Sequence, residues 1–143
     1  MRGPWTRLAI GVSTVVVEIA LPVSVIDTWA LLTDDRGTWW PDLAFDTAVG
    51  APLTEHWRDD AGNEGVASGW NVEVVPPRLL SFAWAAPGDA ETHVHWEVRT
   101  ANGGGSIVTV RESGLDKAAT FEHRSGWTYH LNRLQVAATV SCT

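Results

Sequence analysis

The sequence has a single cysteine, few basic residues and no long apolar run. Its 143 residues include only Cys142, which excludes an intrachain disulfide and a metal site built from several cysteines. No uncharged apolar run reaches the ~18 residues of a transmembrane helix, so we expect no membrane span. Ten basic residues against 17 acidic ones give a net charge of −7. Such a surface repels phosphate backbones, and we therefore expect no nucleic acid partner.

Lysine occurs once, as Lys117, against nine arginines, which is typical of a GC-rich bacterial genome. The N-terminal stretch has Arg2 and Arg7 ahead of an apolar run, as a secretory signal peptide does. However, Glu18 interrupts that run and no A-x-A cleavage site follows it. We therefore expect a cytoplasmic protein in which residues 1–12 form an N-terminal extension.

The aromatic residues are unusual in kind, since nine tryptophans accompany one tyrosine and three phenylalanines. Leu, Ile and Phe suffice to build a core, whereas each buried indole also needs a partner for its N–H group. The excess therefore favours an aromatic-walled pocket for a planar or polycyclic ligand, and the indole faces also suit a cation such as a quaternary amine. For each tryptophan taken singly, a place in an ordinary core remains the alternative.

The first third of the chain predicts a strand followed by short helices. Thr14–Leu21 is rich in β-branched residues and predicts the first strand. Ser24 with Asp27 resembles a capping box, so we expect a helix that begins after Ser24 and ends near Thr33. A second, short helical turn is expected at 38–40, before a proline.

The remainder of the chain alternates with period two until a long final helix. Turn residues separate the predicted strands, which are Ala44–Val49, Leu53–Arg58, Gly65–Val75, Leu79–Trp84, Thr92–Thr100 and Ser106–Glu112. Their short connections favour antiparallel hairpins over parallel crossovers. The proline-free stretch 118–139 has the apolar spacing of an amphipathic helix. We therefore predict one α+β domain over residues 1–143, with a core from about 14 to 139 in which the helix lies on an antiparallel sheet.

Four segments occur in an order and spacing typical of one superfamily. They are VIDTWALLTD…WWPD at Val25–Asp42, GWNVEVVPPRLLSFAW at Gly69–Trp84, HVHWEV…GGGSIVTVRESGL at His93–Leu115, and EHRSGWTYHLNRL at Glu122–Leu134. Together they resemble the SRPBCC (START-like, helix-grip) superfamily over nearly the whole chain. The branch that they resemble most comprises bacterial, polyketide cyclase-like proteins similar to the C-terminal domain of the heat-shock-protein ATPase activator.

The resemblance implies both a fold and a class of function. It implies a curved antiparallel sheet of roughly six or seven strands wrapped around a long C-terminal helix, with two short helices after the first strand. In this superfamily the sheet and the helix enclose a hydrophobic cavity, and members bind lipids, polyketides, hormones or other apolar molecules. Some members are cyclases or aromatases. We expect no cofactor and no metal here.

Glu112 is the polar residue best placed for chemistry on a predicted apolar strand face. It shares that face with Val108 and Val110, so it lies either in the cavity or at its rim, paired with Arg78 or Arg124. In the cavity, burial would raise its pKa toward the range that is useful for acid–base catalysis.

The final helix contributes two histidines to the candidate catalytic residues. His123 and His130 are seven residues apart, which places them on one side of the helix with Trp127 between them. Either is a candidate proton shuttle, and a solvated helix flank is the alternative. The His-x-His-x-Glu run at 93–97 has the pattern of a solvated outer strand face, so we expect no metal site there.

The residues predicted to line the cavity lie on inward strand faces or on the apolar stripe of the final helix, apart from Trp40 of the short helical turn. They are Trp40, Trp70, Phe82, Trp84, Trp96, Val98, Val110, Trp127 and Leu131. We predict that they bind a hydrophobic, aromatic or polycyclic small molecule in a carrier, sequestration or resistance role. The alternative is a cofactor-free cyclase, aromatase or lyase that acts on a polyketide-like or other secondary-metabolite substrate.

Overall fold

Seven strands form one antiparallel sheet, in the order β1-β7-β6-β5-β4-β3-β2. The computed structural model describes residues 13–142, so the predicted N-terminal extension, residues 1–12, lies outside the described part of the chain. The strands are β1 (Ser13–Leu21), β2 (Leu43–Phe45), β3 (Pro52–Arg58), β4 (Glu64–Val75), β5 (Leu79–Ala85), β6 (Thr92–Thr100) and β7 (Ser106–Leu115). All the predicted strands are therefore present, although β2 is shorter and β7 is longer than predicted.

Two α-helices and two 3₁₀ turns complete the fold. They are α1 (Val25–Leu32), a turn at Arg36–Thr38, a second turn at Lys117–Ala119, and α2 (Thr120–Cys142). The hydroxyl of Ser24 caps α1 by accepting a hydrogen bond of 3.1 Å from the backbone N–H of Asp27, as the capping pattern predicts. The α+β class and the helix-grip arrangement, a curved antiparallel sheet with a long C-terminal helix, are confirmed.

The core lies between α2 and the face of the sheet that α2 covers. Leu131, Leu134 and Ala138 are at most 1% exposed and form the apolar stripe of α2. They belong to one buried cluster with Val15 of β1 and Val108 of β7. The two strands at this end of the sheet therefore hold the helix, and the opposite end of the sheet leaves room beside it.

A β-bulge in β4 reverses which side chains point inward. The register with β5 shifts between Asn71 and Glu73, so one extra residue of β4 is left without a partner. Before the bulge, Ala67 and Asn71 are buried, whereas Trp70 lies on the other face and is 45% exposed. The inward position predicted for Trp70 is therefore wrong, because uninterrupted alternation assigned it to the same face as Val74, which follows the bulge.

Candidate functional site

Glu112 of β7 is fully buried and accepts four hydrogen bonds. Its Oε2 accepts from the hydroxyl of Thr92 at 2.6 Å and from the indole N–H of Trp84 at 3.1 Å. Its Oε1 accepts from the indole N–H of Trp127 at 2.8 Å and from Nδ1 of His123 at 2.7 Å. This carboxylate therefore joins strands β5, β6 and β7 to helix α2, and it is interior and not a rim residue.

The hydrogen bonds to Glu112 decide its charge. Burial raises the pKa of its carboxyl, but the donors of His123, Thr92, Trp127 and Trp84 outweigh burial, and the pKa lies below its ordinary value. The raised pKa expected from the sequence is therefore wrong, since that expectation counted the apolar walls and not the donors. The hydrogen bond to Glu112 raises the pKa of His123 despite partial burial, so the contact favours the ion-paired form of the two groups.

His123 connects this buried carboxylate to solvent. Its side chain is 37% exposed, in contrast to the 0% of its partner Glu112. With Nδ1 bound to the carboxylate, the rest of the ring faces a cleft at the open end of the sheet. A histidine oriented in this way by a carboxylate has the arrangement required of a general acid–base group.

The cleft has a volume of about 560 Å³ and lies among β3, β5, the segment that precedes β6, and the start of α2. Its apolar lining includes Trp57, Ala67, Trp84, Leu115 and Ala119, and its polar lining includes Glu55, Arg58, Asp59, Asp89, Thr92, Asp116, Glu122 and His123. Trp84 and His123 are the two predicted site residues that line it. The indole of Trp57 lies against Gly65 of the neighbouring strand, where a Cβ atom would overlap the ring.

Most of the other predicted lining residues pack into the core. Trp40, Trp96 and Trp127 are 3% exposed, and their ring centroids lie 5.5–6.4 Å apart. Phe82, Val98, Val110 and Leu131 are at most 1% exposed and belong to the same cluster. The space among the rings beside Trp39 is only about 10 Å³, which is at most enough for one water molecule. The indoles therefore fill the interior that the sequence analysis predicted as a cavity, and the available space lies at its mouth.

A second carboxyl group, Glu55 of β3, was not identified from the sequence. Its Oε2 accepts a hydrogen bond of 3.0 Å from the indole N–H of Trp40. The ring of His130 stacks on Trp40 with centroids 3.8 Å apart, and its Nε2 lies 3.9 Å from the same oxygen. Period two places Glu55 on the face of Leu53, which is 1% exposed, and that was the available signal.

Glu55 and His130 both favour their uncharged forms. Burial raises the pKa of Glu55 to about 7, although the hydrogen bond from Trp40 opposes the shift. Burial also lowers the pKa of His130 to about 4. Nδ1 of His130 is buried without a hydrogen-bond partner. The predicted catalytic candidate His130 is therefore a neutral, mostly buried ring in the aromatic core, whereas Glu55 reaches the cleft.

Two further features of the described residues limit the alternatives. No group of three or more His, Cys, Asp or Glu side chains within 13–142 is arranged to hold a metal ion. A second depression, of about 650 Å³, lies on the outer side of α2 between Leu31 and Val136. It contains none of the buried carboxyl groups or histidines described above, so we place the candidate site in the cleft.

None of the helices in the described part of the chain is long and apolar enough to cross a membrane.

Comparison with known proteins agrees with this architecture. A family model described as "Activator of Hsp90 ATPase homolog 1-like protein" matches residues 22–139. CalU16 from Micromonospora echinospora is similar in structure, with a TM-score of 0.72 and 20% identity over 85% of this chain and 73% of that chain. CV1439 from Chromobacterium violaceum has a TM-score of 0.76 and 15% identity over 87% of this chain and 96% of that chain.

DynU16, a protein of the dynemicin biosynthetic locus, has a TM-score of 0.71 and 23% identity over 85% of this chain. This chain covers 45% of DynU16, which is less than half of its length. No match was found among curated proteins. At these identities the solved structures establish the fold, and the family model, which spans most of the sequence, establishes the family. The chain belongs to the Activator of Hsp90 ATPase homolog 1-like family, with the polyketide cyclase-like fold of the SRPBCC superfamily.

Proposed function

We propose that this protein binds an apolar, aromatic small molecule in the cleft between β3, β5 and the start of α2. The observation that carries this proposal is the cleft itself, about 560 Å³ in volume, in which the indoles of Trp57 and Trp84 stand beside the polar groups of Glu55 and His123. Small-molecule sites of this size combine apolar walls with a few oriented polar groups.

The aromatic core supports the proposal by making one wall of the cleft rigid. The rings of Trp84 and Trp127 stack with centroids 5.9 Å apart, and both indole N–H groups are bound to Glu112. Trp84 therefore presents a preorganised aromatic surface to the cleft. A preorganised surface loses little conformational entropy when a ligand binds.

A carrier, sequestration or resistance role is consistent with such a site, because binding requires no chemical step. DynU16, whose fold is similar, is a protein of a biosynthetic locus. We therefore propose that the ligand is a secondary metabolite or a molecule of similar apolar and aromatic character.

Equilibrium dialysis against acetylnaphthalene tests the proposal. We expect saturable binding at one site, weakened roughly 3- to 10-fold by Trp84→Leu because a stacking surface is lost. Trp70→Leu is the matched control, since Trp70 is 45% exposed on the opposite face of the sheet and should leave binding unchanged. Equal effects of the two substitutions, or uptake that never saturates, would contradict a site in the cleft.

The ion pair between His123 and Glu112 favours a second candidate function, that of a cofactor-free cyclase. The 2.7 Å contact orients a protonated ring toward the cleft, where it could donate a proton to a bound substrate. Incubation with a poly-β-keto thioester, followed by mass spectrometry, should then reveal cyclised and dehydrated products that His123→Gln no longer forms. Unchanged products with His123→Gln would refute the role of His123, and no products from the native protein beyond those of a protein-free incubation would favour binding alone.

A further inference from the structure

Glu55 occupies a position in the cleft that the ion pair of His123 and Glu112 does not explain. It lies on the inward face of β3, whereas His123 reaches the cleft from α2. The Glu55 side chain is 16% exposed, so its carboxyl is mostly withdrawn from water yet remains in contact with the cleft.

The two oxygens of Glu55 differ in their surroundings. Oε2 accepts the hydrogen bond from Trp40 at 3.0 Å and lies 3.9 Å from His130. Among the described residues, Oε1 makes no hydrogen bond, although it is not enclosed as Glu112 is. The carboxyl is therefore held on its protein side and has one oxygen left for a ligand.

The groups that face Glu55 determine which form of the carboxyl meets a ligand. Asp42 and Glu112 are acidic and disfavour a further negative charge, while His130 is neutral because burial lowers its pKa to about 4. Burial is the largest influence and raises the pKa of Glu55 to about 7. At and below neutral pH, much of Glu55 therefore carries a proton and can donate it in a hydrogen bond.

We infer that Glu55 and His123 donate hydrogen bonds from two sides of the cleft, so that its ligand is an apolar aromatic molecule bearing acceptor oxygens such as ketone or quinone carbonyls. This inference rests on the proposed binding function and adds the chemical class of the ligand. A purely hydrocarbon ligand would leave both donors without partners, which costs binding free energy. An amine would place its own donors against these donors.

A matched pair of probes tests the inference. Acetylnaphthalene carries one carbonyl, and ethylnaphthalene has nearly the same shape without the oxygen. Equilibrium dialysis should show that the native protein prefers acetylnaphthalene by about 3- to 10-fold at about pH 6, the effect of one hydrogen bond. Glu55→Leu should reduce that preference to the part that the His123 donor supports.

Glu55→Gln tests whether the pH dependence of the preference comes from the ionisation of Glu55. The amide retains an N–H donor and cannot ionise, so this variant should keep at about pH 8 the part of the preference that the native protein loses when Glu55 ionises. Glu55→Gln retains His123, so any pH dependence of the preference that remains in this variant comes from His123. The pH dependence that the variant loses comes from Glu55.

The outcomes distinguish the role of Glu55 from the proposed binding function. If neither probe binds saturably, the proposed function fails, and this inference fails with it. If both probes bind but the native protein does not discriminate between them, or if Glu55→Leu leaves the discrimination intact, the role of Glu55 is refuted while the binding function stands. Far-ultraviolet circular dichroism should show the same folded spectrum for Glu55→Gln as for the native protein.

Discussion

At the scale of single residues, Glu112 organises the site because it accepts four hydrogen bonds while it is excluded from water. A buried carboxylate without donors would take up a proton, whereas here the donors hold the charge. The side chains of Trp84, Trp127 and His123 are oriented by the same group. The shape of the cleft wall and the charge of His123 thus depend on one residue.

Glu112→Gln should lower the free energy of unfolding by about 2–4 kcal/mol. The amide replaces one acceptor oxygen with an N–H group that faces indole or hydroxyl donors, so it leaves buried donors unsatisfied. Urea denaturation measures this change. Glu97→Gln, on the exposed face of β6, is the control and should stay within about 0.5 kcal/mol of the native protein. Equal stabilities of the two variants would contradict the account of Glu112.

The carboxyl of Glu55 and the imidazole of His123 should make the protein less stable as the pH rises. Both have a pKa above the ordinary value in the folded state, so each stabilises the fold in its protonated form and loses that contribution as the pH rises through its folded pKa. Glu55 loses its contribution between its ordinary pKa of 4.5 and its folded pKa of about 7, whereas the lowered pKa of His130 acts in the opposite direction between about 4 and 6.5. The thermal midpoint should therefore fall as the pH rises above about 6.5, and Glu55→Gln should reduce the slope just above that pH. A midpoint that is constant or rises over this range would contradict both assignments.

The sequence identified His123 and Glu112 as site residues but not their relation. Strand and helix periodicity assigned each to a face, and that was enough to name them. The contact between Nδ1 and the carboxylate depends on how α2 crosses β7, which no local pattern encodes. Glu55 was missed although its alternation with Leu53 was visible, because a lone acidic residue on a strand usually lies on the solvated face.

At the scale of the elements, β4 shows where alternation ceases to predict a face. Its twelve residues form one uninterrupted strand pattern, yet the bulge near Val72 divides it into two halves of opposite phase. Odd-numbered residues such as Asn71 point inward before the bulge, and even-numbered residues such as Val74 point inward after it. The position of such a bulge depends on how β4 pairs with β5, and so Trp70 was assigned to the wrong face.

Two glycines in these elements should respond oppositely to alanine. A Cβ at Gly69 of β4 would overlap the carbonyl oxygen of Ala83 in β5, so Gly69→Ala should destabilise the protein by more than about 2 kcal/mol. A Cβ at Gly126 of α2 would meet no atom within 4 Å apart from the adjoining backbone of its own helix, so Gly126→Ala should stabilise the protein by about 0.5–1 kcal/mol. Thermal unfolding of both variants checks the pair. A stabilising Gly69→Ala or a destabilising Gly126→Ala would show that the packing described for that element is incorrect.

At the scale of the whole molecule, the sequence predicted the fold class, the strand order along the chain and the long final helix. These depend on periodicity and turn residues, which are local. The position of the cleft was not predicted, because it depends on how the large side chains pack against one another in the interior. The indoles of Trp40, Trp96 and Trp127 pack on one another in the core, and the cleft opens beside them at Trp84 and Trp57.

A ligand bound in the cleft should perturb the indole N–H groups that line it, and nuclear magnetic resonance can follow each of these groups separately. Titration of ¹⁵N-labelled protein with acetylnaphthalene should shift the indole signals of Trp84 and Trp57, which line the cleft. The signals of Trp70, on the outer face, and of Trp39, beside the depression on the outer side of α2, should stay in place. Shifts confined to Trp39 or Trp70, with Trp84 and Trp57 unmoved at saturation, would contradict a ligand site in the cleft.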